Sequence, residues 1–229
     1  MSNYPNTKIH NTLPKILKHR ADTIPNTVAL RDKDLGIWNE ITWKQYNDNV
    51  SYLALGLAKR GFKAGDVLGL IGDNKPSWIF FELAAQAAGG MSLGVYRDTL
   101  DEEVGYLMDA AKVSFVYAED QEQVDKILTI KRPKNNPINI FYDDSRGLKE
   151  LNDPNITDML DLINEGKVLT SKDPEKYNKM IDKVSGEQNA ILCTTSGTTS
   201  NPKLAMLPGG KFVDHVIRYL NVDPKTVND

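Results

Sequence analysis

Between residues 67 and 140, short apolar runs alternate with helix-forming stretches, and this rhythm narrows the fold more than any other feature of the chain. Residues 67–71, 91–96 and 113–117 have the length and content of buried strands. Between and after them, residues 76–88, 100–110 and 121–130 read as helices. Pro76 suits a first helical turn, because its φ is already fixed near the helical value. Val104, Leu107 and Met108 share one helical face. Strand–helix–strand units of this length pair their strands in parallel through right-handed crossovers. The expected fold is α/β, a mostly parallel sheet flanked by helices.

The flanks fit that frame. Residues 13–21 read as a short helix. Residues 28–31 and 38–42 read as two strands around a turn at Asp34-Leu35-Gly36. Thr42 is placed to cap a helix whose apolar stripe is Tyr46, Val50, Leu53 and Leu57. Gly61 stands where a helix end favours positive φ. Farther along, residues 131–136 and 142–147 are turn-rich connections, and residues 156–163 read as a short helix. Residues 170–182 are dense in charge and are expected on the surface.

Composition excludes some classes of function. Forty per cent of the 229 residues are apolar, enough for a sizeable core. The formal net charge of −3 gives no electrostatic reason to expect a nucleic-acid partner. Cys193 is the single cysteine, so no disulfide forms within the chain, which fits a reducing cytoplasm. Residues 1–20 lack the continuous apolar segment of a secretory signal. The longest apolar stretch, residues 78–88, is interrupted by Glu82 and Gln86 and is too short to cross a bilayer. Any membrane contact is therefore expected to be peripheral.

The most informative segment follows a strand at residues 190–194. It reads Thr194-Thr195-Ser196-Gly197-Thr198-Thr199-Ser200-Asn201-Pro202-Lys203, with an apolar run at 204–207 that resumes a strand. Backbone N–H groups in a tight turn form a concave anion site. Hydroxyl side chains add donors for phosphate oxygens, and Gly197 lets the backbone approach closely. Lys203 brings a mobile positive charge. A hydroxyl-rich turn between strands is ordinarily a hairpin and nothing more; the Gly-Thr-Thr and Pro-Lys elements at this spacing point to a binding role as well. The loop is not a Walker-type P-loop, since no glycine precedes Lys203 and Leu204 replaces the hydroxyl residue.

Thr195 to Thr199 with Asn201-Pro202-Lys203 resembles the signature loop of the adenylate-forming superfamily, which includes acyl-CoA synthetases, luciferases and peptide-synthetase adenylation domains. Ile41-Thr42-Trp43 with Tyr46, Gly65-Asp66-Val67 and Asn74 to Trp78 extend the resemblance upstream. Gly94-Val95-Tyr96 and residues 118–124 look most like the long-chain fatty acid–CoA ligase branch. The resemblance implies the partial N-terminal domain of an acyl-CoA synthetase-like fold, using ATP, Mg²⁺, coenzyme A and a fatty acid. It implies a nucleotide site at Thr195, Ser196, Gly197, Thr198, Thr199, Ser200, Asn201, Pro202 and Lys203, with Thr195 also touching the metal. It further implies a subdomain over residues 1–184, and the loop with the start of a second subdomain over 185–229. The family's adenine, ribose and catalytic-lysine motifs are not recognisable. The expectation is therefore an N-terminal fragment, inactive alone and prone to self-association through exposed strand edges. Another adenylating ligase, for aryl or amino acids, and a non-catalytic nucleotide-binding module are the alternatives.

Three positions depart from the family pattern. Ser200 and Leu204 stand where glycine is usual, and Pro208-Gly209 replaces a threonine–histidine pair. If position 200 needs positive φ, serine costs about 1 kcal/mol or more. Elsewhere, His10, His19 and His215 lack metal-ligand spacing. Cys193 reads as a buried, inert thiol. Trp78, Phe80 and Phe81 read as core before acyl pocket. Arg97 and Asp98 follow a strand end, a favoured ligand position in α/β sheets, but they read as a simple surface turn before a ligand site.

Overall fold

The structure is a computed structural model and describes residues 6–131, 137–195 and 202–223. Helix α1 (Leu13–Thr23) opens with a proline in its first turn. Strands β1 (Val28–Asp34) and β2 (Ile37–Thr42) then form an antiparallel hairpin in which Asp34 faces Ile37. That register leaves Leu35 and Gly36 as the turn, with φ of 45° and 84°. Both angles are positive, as a two-residue turn of matching twist requires.

Helix α2 (Trp43–Lys59) begins in a capping box. The Thr42 hydroxyl accepts from the Gln45 amide at 3.3 Å, and the Gln45 side chain accepts from the Thr42 amide at 2.9 Å. The expected stripe of Tyr46, Val50, Leu53 and Leu57 is buried. Gly61 ends the segment at φ 100°.

The alternating segment then unfolds as β3 (Val67–Gly72), α3 (Pro76–Ala87), β4 (Met91–Tyr96), α4 (Asp101–Ala110), β5 (Phe115–Ala118), α5 (Gln121–Leu128) and β6 (Asn139–Tyr142). After it come β7 (Ile156–Asp158), α6 (Met159–Lys172), α7 (Lys176–Asp182), β8 (Asn189–Thr195), β9 (Lys203–Pro208) and α8 (Gly209–Val222). Strands β3 to β9 form one sheet in the order β7-β6-β5-β3-β4-β8-β9. All pairs are parallel except β8 with β9.

Side chains alternate along a strand, so the sheet has a core on each face. Leu68, Leu70, Phe115, Tyr117 and Phe141 pack with α1, α2, α3, α6 and α7. Val67, Ile71, Leu93, Val95 and Val116 pack with α4 and α5 on the other side. Phe80 and Phe81 lie in the first core, where the Phe81 ring stacks 4.8 Å from Tyr117 and 5.8 Å from Phe141.

Two expectations need correction. Residues 156–163 are not one helix: β7 pairs with β6 first, and α6 starts at Met159 and continues to Lys172. Asp158 is the switch, because its carboxylate accepts from the Leu160 amide at 2.8 Å and caps the helix. Residues 170–182 are not wholly superficial either. Tyr177 and Ile181, one helical turn apart on α7, are buried in the first core beneath their charged neighbours.

Candidate functional site

The site is built on the β8–β9 hairpin. Strand β8 runs parallel to β4, so its end at Thr195 lies on the carboxyl side of the sheet, where α/β folds carry their ligands. β9 returns antiparallel, and its register pairs Thr194 with Leu204 and Thr195 with Lys203. The Thr195 hydroxyl donates to the Lys203 carbonyl at 3.3 Å, closing the neck of the loop. Ser196, Gly197, Thr198, Thr199, Ser200 and Asn201 lie outside the described residues. Of the expected site residues, the structure therefore places Thr195, Pro202 and Lys203 and brings all three to one neck. Lys203 is exposed and has no ion-pair partner among the described residues.

Leu204 departs from the family pattern for a visible reason. Its side chain packs against the core that α4 and α5 line. A glycine there would leave β9 without that anchor. Alternation then turns Lys203 towards the opposite face of the sheet.

On that opposite face lies a groove of about 380 Å³. Ser92, Gly94 and Cys193 contribute to its floor, and Trp78 and Glu82 of α3 line it from the side. A Cβ on Gly94 would meet the Trp78 ring at 3.1 Å, so the glycine gives the indole room to lie along the strand. Thr194 lines the same groove, which ties it to the loop. Cys193 is half-buried and open to this groove, not fully buried as its strand position suggests. Burial pushes the Glu82 carboxyl above the usual range, opposed by a hydrogen bond from the Ser92 hydroxyl at 3.3 Å.

The usual crevice of such a sheet is already filled. β3 connects through α3 on one face and β5 through α5 on the other, so the topological switch lies between them. There the Glu119 carboxylate accepts from the Asp73 amide and pairs with Lys75, both at 2.5 Å. A Cβ on Gly72 would lie 2.6 Å from Glu119 Cβ, so the side chain occupies the gap itself. Arg97 pairs with Asp73 at 2.5 Å, which makes its turn structural.

Sequence reasoning missed Glu82 and Ser92 as groove residues; the only signal was the break that Glu82 makes in the apolar run of α3. His10 and His19 rings approach to 4.4 Å, yet among the described residues no three His, Cys, Asp or Glu side chains gather as a metal site. No described helix is long and apolar enough to cross a membrane.

Comparison with known proteins identifies the family and the fold. Long-chain-fatty-acid–CoA ligase ACSBG2 of Rattus norvegicus is 28% identical over 196 residues, covering 86% of this chain and 29% of the relative. ACSBG1 of the same species is 28% identical over 203 residues, covering 88% and 27%. The chain thus spans less than a third of the length of these relatives. Among solved structures, the fatty acyl-adenylate ligase of L. pneumophila, in complex with acyl adenylate and pyrophosphate, aligns with TM-score 0.65 at 18% identity, covering 92% of this chain and 32% of that one. The luciferase-like enzyme of the Zophobas morio mealworm aligns with TM-score 0.74 at 14% identity, covering 95% and 47%. At these identities the structures establish the fold alone. The family profile of AMP-binding enzymes matches residues 17–227, and over that extent it shows that the chain belongs to this family.

Proposed function

We propose that this chain supplies the phosphate-binding part of an ATP-dependent fatty acid–CoA ligase. In that reaction a fatty-acid carboxylate oxygen attacks the α-phosphorus of ATP. The bond to pyrophosphate breaks, leaving an acyl-adenylate. The thiol of coenzyme A then attacks the acyl carbon, and AMP departs with the carboxyl oxygen. The family match and the fatty acid–CoA ligase relatives support the reaction class. One observation carries the assignment of the site: Lys203, exposed and without an ion-pair partner among the described residues, is paired with Thr195 at the carboxyl side of the sheet.

An exposed ammonium beside a hydroxyl-rich loop fits the negative charge of a triphosphate and of departing pyrophosphate. Thr195 keeps hydroxyl lone pairs after donating to Lys203, so it fits one position on a Mg²⁺ whose other ligands are phosphate oxygens and water. Bound Mg²⁺ would neutralise phosphate charge as the pyrophosphate leaves. Residues 1–184 act in this reading as scaffold, and residues 185–229 carry the loop. The thioester step is assigned to segments that the longer relatives carry beyond the matched part.

Calorimetric titration of the purified chain with Mg·ATP and with pyrophosphate tests the reading. Both should bind, and Lys203→Ala should weaken binding about ten- to a hundred-fold, the weight of one charge-assisted contact. Equal affinities for the two proteins would refute the assignment.

A further inference from the structure

We propose that Tyr106 is a positioning residue for Lys203, holding the backbone from which that side chain reaches an anion. This rests on the reading of the loop given above. The Tyr106 hydroxyl, on α4, donates to the Pro202 carbonyl at 3.3 Å across 96 positions of sequence. Pro202 lies just outside the β8–β9 ladder, which begins at Lys203. Its carbonyl therefore needs a donor from elsewhere.

Lys203 is then fixed from both sides by the same helix layer. Its preceding carbonyl is tied to Tyr106, and its following residue, Leu204, packs in the core that contains Val104 and Met108 of α4. Thr195 holds the carbonyl of Lys203 itself. The Pro202 and Lys203 carbonyls and the Leu204 side chain are thus tethered, while the Lys203 ammonium has no ion-pair partner among the described residues. That is the arrangement a binding cation needs, since a backbone ordered beforehand loses less freedom when the ligand arrives. The hydroxyl-to-carbonyl distance exceeds the ordinary 2.7–2.8 Å or so.

Tyr106 is 37% exposed, so Tyr106→Phe keeps the ring in place and removes only the donor. The test is a double-mutant cycle of Tyr106→Phe with Lys203→Ala, read by calorimetry with pyrophosphate and with Mg·ATP. Tyr106→Phe should bind pyrophosphate about five-fold more weakly, the worth of one net hydrogen bond. Its melting temperature should stay close to that of the parent. In the Lys203→Ala background the same change should have no further effect, because the tether acts through Lys203. Unchanged affinity in Tyr106→Phe, with Lys203→Ala still impaired, overturns the positioning role and leaves the loop reading intact. An additive loss in the double variant also overturns it. Wild-type and Lys203→Ala proteins that bind alike, or not at all, refute the loop reading and the inference with it.

Discussion

Helices α2 and α6 approach so closely that glycine is required on each at the crossing, and Gly166→Ala measures what that approach is worth. A Cβ at Gly166 would lie 2.0 Å from the Tyr52 carbonyl oxygen and 2.5 Å from its carbonyl carbon. At Gly56, on the facing helix, it would lie 2.7 Å from the Leu162 carbonyl oxygen. These obstacles are backbone, so no side chain can swing aside. Ordinary van der Waals separation is about 3.2–3.5 Å, so α6 would have to move outward by more than 1 Å, and a gap of that size forfeits a large part of each dispersion contact. Overpacking of a tight interface costs about 1–3 kcal/mol, sometimes more. Against this, alanine improves helix propensity over glycine by about 1 kcal/mol. The clash should win, because it displaces a whole helix whose Leu162 and Ile163 sit in the first core. The net expectation is about 2 kcal/mol of destabilisation, or roughly 4–8 °C in melting temperature for a chain of this size. Gly36→Ala is the control: nothing lies within 4 Å of its Cβ, and only its φ of 84° resists. That cost is about 1–2 kcal/mol. Thermal melts followed by circular dichroism decide the matter. A Gly166→Ala protein as stable as the parent would refute the close-packing account.

Other expectations concern the groove and the sheet edge. Burial raises the Glu82 carboxyl above its usual value, so the stability its protonated form contributes is complete below about pH 4 and is lost as pH rises through the raised value. Glu82→Gln mimics the protonated form; it should raise the melting temperature at about pH 7 and give no gain near pH 4, and an equal gain at both would contradict the assignment. β9 ends the seven-stranded sheet with Met206 62% exposed, and Phe212, Val216 and Tyr219 form an exposed apolar stripe on α8. Such an edge invites pairing, so the chain should self-associate at high concentration, and Met206→Lys should reduce it. Light scattering that finds both proteins monomeric would count against this.

Much of the scaffold was legible because its signals are local. The bounds of β4 follow from a run of apolar residues between Gly90 and Arg97, and α2 follows from a cap and a stripe. β7 was not legible: three residues at a sheet edge carry too little pattern to be told from the helix they precede, and only pairing with β6 defines them. The loop was visible from its composition, but its supports were not. Tyr106 lies 96 positions from Pro202, and nothing about a tyrosine in an amphipathic helix distinguishes a donor to a distant carbonyl from a surface ring. The filling of the central crevice by Glu119 was hidden for the same reason, since it depends on Gly72 and Lys75 converging from another strand end.

The proposed role of the loop is consistent with that filled crevice. Glu119 and Lys75 occupy the switch between β3 and β5, so the proposed anion site has to lie elsewhere along the carboxyl side of the sheet. The proposed function puts it at the β8–β9 hairpin, where β8 delivers the chain to the carboxyl side and β9 takes it back after seven residues. The cost of this solution is that the loop hangs from the last strand of the sheet, which has a neighbour on one side only. Leu204 in the core and Tyr106 at the Pro202 carbonyl compensate for the missing neighbour. Scaffold and site are therefore separable in energy: loosening the α2–α6 crossing should lower the melting temperature while leaving phosphate affinity intact, whereas loss of the Tyr106 hydroxyl should do the reverse.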